Sequence, residues 1–154
     1  IENAIESLIK YRKDEGLALE KDFIMRIHKI GDLLSLINEI DPERIKHVRS
    51  KIMLEIEKLN FDHDSNRLEQ ELIYYIEKID ITEEQVRLKN HLEYFLSSLK
   101  NSTSNGKKLA FIGQEIGREI NTIGSKANNS EMQKLVIQMK DELEKIKEQL
   151  LNVL

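Results

Sequence analysis

The chain has 154 residues, with 24 Lys and Arg against 28 Asp and Glu for a formal charge of −4, and no cysteine. That balance excludes a global basic field for holding nucleic acid, and the absence of cysteine excludes a disulfide framework or a zinc ribbon. No apolar run approaches the ~18 residues of a membrane span, and no signal-peptide pattern opens the sequence, so a cytoplasmic setting is expected. A single proline, six glycines and 34% charged residues favour long helices, and strand alternation and hairpin turns are absent. The expected class is all-α.

In chain order, residues 1–40 carry apolar side chains at Ile5, Leu8, Ile9, Phe23, Ile27, Ile30, Leu34 and Ile37. Asp41-Pro42 reads as a restart, with Asp as cap, Pro at the first helical position and Glu43 at the positive helix end. Ile45, Val48, Ile52, Ile56 and Leu59 then form the stripe of a second helix. These two pieces predict an antiparallel helical hairpin over residues 1–60, an arm that packs on itself or on another subunit. Residues 61–154 are expected to form a helical domain.

Phe61–Ser65 reads as a short joint, and a third helix starts at Asn66 with Leu68, Leu72, Tyr75, Ile76 and Ile79 inward. Thr82 and Gln85 have the spacing of a capping box, and Ile81 and Val86 that of a hydrophobic staple. The fourth helix follows through Val86, Leu88, Leu92, Phe95 and Leu99. Asn101–Gly106 is small and polar, a loop with a basic pair at its exit.

In the fifth helix, Leu109, Ile112, Ile116, Ile120 and Ile123 make one apolar stripe at 100° per residue. Gln114, Glu115 and Arg118 lie opposite, with Phe111 among them. Ala110, Gly113, Gly117 and Gly124 make a third, small-residue stripe. A helical glycine costs roughly 1 kcal/mol against alanine, so this stripe predicts a close approach by another backbone. Ser130 is placed to cap a sixth helix. There Met132, Val136, Met139, Leu143, Ile146, Leu150 and Val153 keep heptad spacing, the seam of a coiled coil or bundle. About six helices are expected in all.

Gly106, Lys108, Leu109, Phe111, Gln114, Glu115, Arg118, Glu119, Asn121, Thr122, Ser125 and Lys126 stand in an order that resembles the YicC family. Its pattern there runs roughly G-R-K-L-D-F-x-x-Q-E-x-x-R-E-x-N-T-x-x-S-K. Arg12–Gly16 with Leu19, Asp22 and Arg26 is similar to a second family stretch. Asn66–Leu72 followed by Asp80, Glu83, Glu84, Arg87 and His91 is similar to a third. The resemblance implies a metal-dependent, homo-oligomeric endoribonuclease, a ring for which six subunits is the implied count, acting on RNA, with no role expected for DNA or a membrane. It also implies that an N-terminal, strand-containing part is missing from this chain, which begins with Ile. Three positions depart from the pattern. Ala110 stands where the family usually has Asp, and Gly113 and Gly117 stand where it has a larger apolar residue and Asn.

Phosphodiester cleavage needs charge stabilisation at the phosphate, an activated nucleophile and protonation of the leaving oxygen. Hard ions such as Mn²⁺ or Mg²⁺ take carboxylate oxygens, so acids near cations are the candidates. Glu115 and Glu119 are one turn apart and are candidate metal ligands and catalytic groups; the alternative is pairing with neighbouring cations. Glu69 and Glu71 flank the third helix's stripe, as further ligands or as buried partners of arginines. Glu84, Arg87 and His91 share a face, and His91 is placed to transfer a proton with Glu84 beside it, although a lone helical histidine is often a packing residue. Lys107 and Lys108 at a helix start, with Arg12, Arg67, Arg87, Arg118 and Lys126, are candidate phosphate contacts. Phe111 is placed to stack a base and Gln114 to contact RNA, or both to pack against a subunit. His28, His47 and His63 have no comparable setting. Two other functions fit the sequence: a non-catalytic RNA-binding adaptor, favoured by Ala110, and a structural helical oligomerisation module, favoured by the heptads and the acidic balance.

Overall fold

The computed structural model describes residues 2–58, 65–100 and 106–153. They form α1 (Glu2–Lys58), α2 (Ser65–Ile79), α3 (Thr82–Leu99), α4 (Gly106–Lys126) and α5 (Ser130–Val153), with no strand among the described residues. The class is all-α, with five helices among the described residues where six are expected. Most of the joint at 61–65, His63, Leu59 and the loop at 101–105 lie outside the described residues.

The missing helix boundary is at Asp41-Pro42. Pro42 sits inside α1, and where a hairpin is expected over residues 1–60 the described residues 2–58 are one uninterrupted helix. Proline's fixed φ suits a helix interior as well as a first turn, and its cost inside comes from the lost N–H and a clash with the preceding turn. Local sequence therefore cannot separate the two cases; tertiary ties do. Arg44, buried, donates from Nε to Asp41 Oδ1 at 2.8 Å and from Nη2 to the Ile79 carbonyl at 2.7 Å. Those bonds hold the turn around Pro42 helical and bind it to the end of α2. The helical hairpin is thus made by the last part of α1 with α2, where Leu72 is buried.

At 1.5 Å per residue α1 is about 85 Å long, far longer than a bundle of helices the size of α5 can enclose. Its middle, Phe23 to Ile37, enters the core, while residues 5–18 are exposed. There α1, α3, α4 and α5 form an up-down-up-down four-helix bundle. The directions follow from the ties: Phe23 meets Phe95 edge-on at 6.0 Å, Arg26 and Lys29 reach Glu142, and Lys126 at the end of α4 reaches Glu84 at the start of α3. The predicted stripe of α4 is wholly inward, with Leu109, Ile112, Ile116, Ile120 and Ile123 buried. The heptad seam of α5, Met132 to Leu150, is buried in the same core, so it serves packing within the chain.

The helix starts differ from the expected chemistry by one or two residues. At α3, Asp80 Oδ1 accepts from the backbone N–H of Thr82 at 3.0 Å and from its hydroxyl at 2.6 Å, and no capping box forms. Thr82's hydroxyl also holds the Asp80 carboxyl below its ordinary range. Ile81 is buried but Val86 is exposed, so the staple is not made. At α5 the cap is Asn129 rather than Ser130: its Oδ1 accepts from the Met132 N–H at 2.9 Å. Gln133 turns back to donate to the Gly124 and Ala127 carbonyls, which closes the α4–α5 corner.

The small-residue stripe divides in two. A Cβ on Gly124 would stand 3.0 Å from Val136 Cγ1, and one on Gly117 would stand 3.2 Å from Leu143 Cδ2, so α5 side chains, not its backbone, fill that groove. A Cβ on Gly113 would meet nothing within 4 Å. Gly113→Ala is therefore expected to stabilise the chain by about 0.4–1 kcal/mol, while Gly124→Ala is neutral or destabilising because Val136 must shift. Urea unfolding of the two variants side by side checks this; equal shifts in the same direction would contradict it.

Glu142 anchors α1 to α5. It accepts from Arg26 and Lys29 at 2.8 Å each and from Lys145 at 3.2 Å, and Arg26 also holds Asp22 at 2.8 Å. The Lys29 hydrogen bond, helped by Arg26 and Lys145 and opposed by burial, brings the Glu142 carboxyl from 4.5 to about 2. A carboxyl depressed on folding adds stability above its unfolded value and loses it as pH falls toward the folded one, here between about 4.5 and about 2. The loss across that window is expected to be on the order of 3 kcal/mol. Glu142→Gln should lower stability at neutral pH by a comparable amount and flatten the acid dependence in urea unfolding. A variant as stable as wild type at pH 7 would show the cluster to be worth little.

Candidate functional site on the α3–α4 seam

The amphipathic pattern of α4 and its antiparallel packing on α3 line up most of the predicted chemistry. One tie, Lys126 to Glu84, joins the two helices near one end, and Lys108 Nζ lies 4.7 Å from the centroid of the Tyr94 ring toward the other. Between these ties, in chain position, lie Glu119 and Glu115 on α4 and Arg87 and His91 on α3. Glu84 and His91 of α3 and Lys108, Glu115, Glu119 and Lys126 of α4 thus belong to two helices packed directly on each other, with Glu84 and Lys126 in contact.

Their environments differ. Glu119 is buried at 4% exposure because it borders the apolar stripe that faces the core. Glu115, one turn earlier, is partly open, and Arg118 Nη1 stands 3.7 Å from its Oε2, an ion pair too long for a strong hydrogen bond. His91 is half-buried. Glu84 is buried and accepts from Lys126 Nζ at 2.8 Å, and the same ammonium donates to the Asp80 carbonyl at 3.1 Å. This pair was expected in separate roles, Glu84 in catalysis and Lys126 on RNA; here each is the other's partner, closing that end of the bundle. Glu84 Oε2 is buried without a hydrogen-bond partner among the described residues, which leaves a spare acceptor beside a cation.

Outward from the seam, Lys107, Gln114, Arg118 and Phe111 are exposed, and Arg87 is paired with Glu83 on the solvent side. The remaining candidates stand elsewhere. Arg67, Glu69 and Glu71 are exposed on α2, which packs against α1. Arg12 is on the α1 overhang, in a groove shared with Asp22 and with Gln149 and Asn152 of α5. The four carboxylates expected to hold a metal therefore fall on two separate elements. Among the described residues no group of three or more His, Asp or Glu is placed to hold an ion. Glu115 and Glu119 alone, on one helix, do not form a closed metal cage.

Residues 37–154 match the model of the family described as "Endoribonuclease YicC-like, C-terminal". The chain belongs to that family. It is similar to a "Probable endoribonuclease YicC" of Clostridioides difficile (strain 630), 37% identical over 156 residues, which cover 99% of this chain and 53% of that protein. A "Probable endoribonuclease YicC" of Haemophilus influenzae (strain ATCC 51907 / DSM 11121 / KW20 / Rd) is 28% identical over 152 residues, with the same 99% and 53% coverage. The chain thus spans about half the length of these curated relatives.

Seen as a member of the YicC-like family, the chain divides its motif residues between scaffold and seam. Asp22 and Arg26 work on the scaffold side, in the Glu142 cluster. Ala110, in place of the usual Asp, packs partly against the core. Tyr94 was missed by sequence reasoning. The available signal was its place three residues after His91, which puts both on one helix face. Among the described residues no helix is long and apolar enough to cross a membrane.

Proposed function

We propose that this chain is the RNA-cleaving helical part of an endoribonuclease, with its centre on the α3–α4 seam. What supports the reading is that His91 on α3 and Glu115 and Glu119 on α4 fall, in chain position, between the two ties that join these packed helices, on a chain whose family and relatives bear endoribonuclease names. His91, half-buried and open to solvent on one side, is suited to exchange a proton with a ribose or leaving oxygen as a general acid or base. Lys107, Lys108 and Arg118 are suited to hold the phosphate backbone while the bond breaks. Glu119, fixed by burial, would orient what Glu115 touches.

A divalent ion, Mn²⁺ or Mg²⁺, is part of the proposal. Mg²⁺ is commonly held by one or two carboxylates, with waters and substrate phosphates completing its shell. Glu115 and Glu119 are the pair that would hold one in that manner, and the ion would offset phosphate charge. Self-association is proposed as well, supported by the α1 overhang, where Ile5, Leu8, Ile9, Tyr11 and Leu17 are exposed. A cytoplasmic setting completes the reading.

The test is cleavage of a labelled RNA by the purified protein with Mn²⁺ or with EDTA, with the chemical ends of the products identified. Cutting that needs the ion and leaves no cyclic phosphate is the expected result. Cutting that persists in EDTA and leaves a 2′,3′-cyclic phosphate would keep the nuclease but replace the ion by attack of the ribose 2′-OH. RNA that is bound and never cut would give the chain to the adaptor reading.

A further inference from the structure

Tyr94 takes no part in the cleavage reading, yet it is one of the more open aromatic side chains, 49% exposed, and Phe111 across the seam is 62% exposed. Lys108 lies against the Tyr94 ring, 4.7 Å from its centroid, and stands one helical turn before Phe111 on α4. An isolated exposed aromatic is ordinary on a protein surface. Two on helices that pack on each other, linked by an ammonium that lies against one ring and stands one turn before the other, are a different arrangement. Continuing the same row of α4, Arg118 is 74% exposed. From Lys108 to Arg118 the row runs about 15 Å along the helix.

We propose that Tyr94 and Phe111, with Lys108 against the first and one turn before the second, stack unpaired bases and so select single-stranded over duplex segments of RNA. The inference rests on the RNA-directed reading above and adds what part of the RNA this face accepts. An ammonium against one face of Tyr94 leaves the other face to a planar ring and keeps a positive charge beside it. A nucleotide brings both partners, a base for the rings and a phosphate for Lys108 and Arg118. In a duplex the base faces are already stacked, so the rings have nothing to receive and only phosphate contacts remain. A second copy of this chain is the poorer fit: covering the rings would desolvate Lys108 unless the partner supplied an acid at that point.

The experiment measures binding of the full chain to a fluorescein-labelled single-stranded oligoadenylate and to an RNA duplex of equal length, in EDTA so that cleavage does not intervene. Wild type is expected to prefer the single strand. Tyr94→Ala and Phe111→Ala should each weaken single-strand binding from about five-fold to about a hundred-fold and leave duplex binding unchanged. Tyr94→Phe should retain binding, because the ring and not the hydroxyl is used. Lys108→Ala should weaken both ligands and reduce the salt dependence of each. All three positions are exposed, so thermal unfolding serves as the folding control. If wild type binds or cuts RNA and the alanine variants do so equally well, the platform is wrong and the nuclease stands. If wild type binds neither ligand, both readings fall; loss of self-association in Tyr94→Ala and Phe111→Ala would then assign this face to contact between copies.

Discussion

His91→Ala is expected to slow RNA cleavage by ~10²–10⁴-fold, the usual span for a proton-transferring side chain, with little change in folding stability. The two halves of that expectation come from one observation: His91 is half-buried at the seam's solvent edge, outside the apolar core that α3 builds through Leu88, Leu92 and Phe95. Glu115→Ala should also depress cleavage, and its partly open position makes it a fair probe of charge at the site. Glu119 needs gentler treatment. Being buried, it is better replaced by Gln, which keeps volume and hydrogen-bonding shape while removing the charge. If His91→Ala cuts at the wild-type rate while the Glu115 and Glu119 variants are slow, the histidine is a packing residue and the site is carried by the carboxylates. If all three cut at the wild-type rate, the seam is not the centre, and the groove at Arg12 with Gln149 and Asn152 becomes the place to examine.

The apolar faces of α4 and α5 were legible in the sequence because helical periodicity reports burial there, whereas Tyr75 on α2 and Ile5, Leu8 and Ile9 on α1, expected in the apolar stripes, are exposed. Leu109 through Ile123 and Met132 through Leu150 are buried as their spacing indicates. The α1 stripe was legible too, from Phe23 to Ile37, but its length was not, because Asp41-Pro42 looks the same at a helix start and inside a helix. What decided it was Arg44 bonding to Ile79, a contact 35 residues apart in sequence. The same limit governs the site. Glu84 and Lys126 are separated by 42 residues, and nothing local to either says that they pair. Tyr94 and Lys108 belong to different helices, so their contact depends on the α3–α4 register. Residue types and helix faces could be read locally; which side chain satisfies which could not, because a long helix offers each charge several partners at similar cost.

Phe95→Ala is expected to destabilise the chain by about 3–5 kcal/mol, the range for emptying a buried aromatic site. Phe95 is fully buried and meets Phe23 edge-on at 6.0 Å, so the cavity would open where α1 enters the bundle. In urea the midpoint should fall with the slope unchanged, and Tm should fall on the order of 10 °C for a domain of this size. Phe23→Ala should cost a similar amount, and the double variant less than the sum, because an aromatic pair adds about 0.5–1.5 kcal/mol beyond burial. A double variant that is strictly additive would mean that the two rings fill space independently. The consequence for function lies in the neighbouring positions: Tyr94 adjoins Phe95, and His91 is one turn earlier. Loss of Phe95 removes the packing that sets the pitch of α3 against α1, and with it the placement of His91 on α3. Cleavage by Phe95→Ala, measured well below its midpoint temperature, is therefore expected to fall further than its folded fraction does. Cleavage that tracks the folded fraction alone would show that α4 by itself holds α3 in register, through Lys126 at one end and Lys108 at the other.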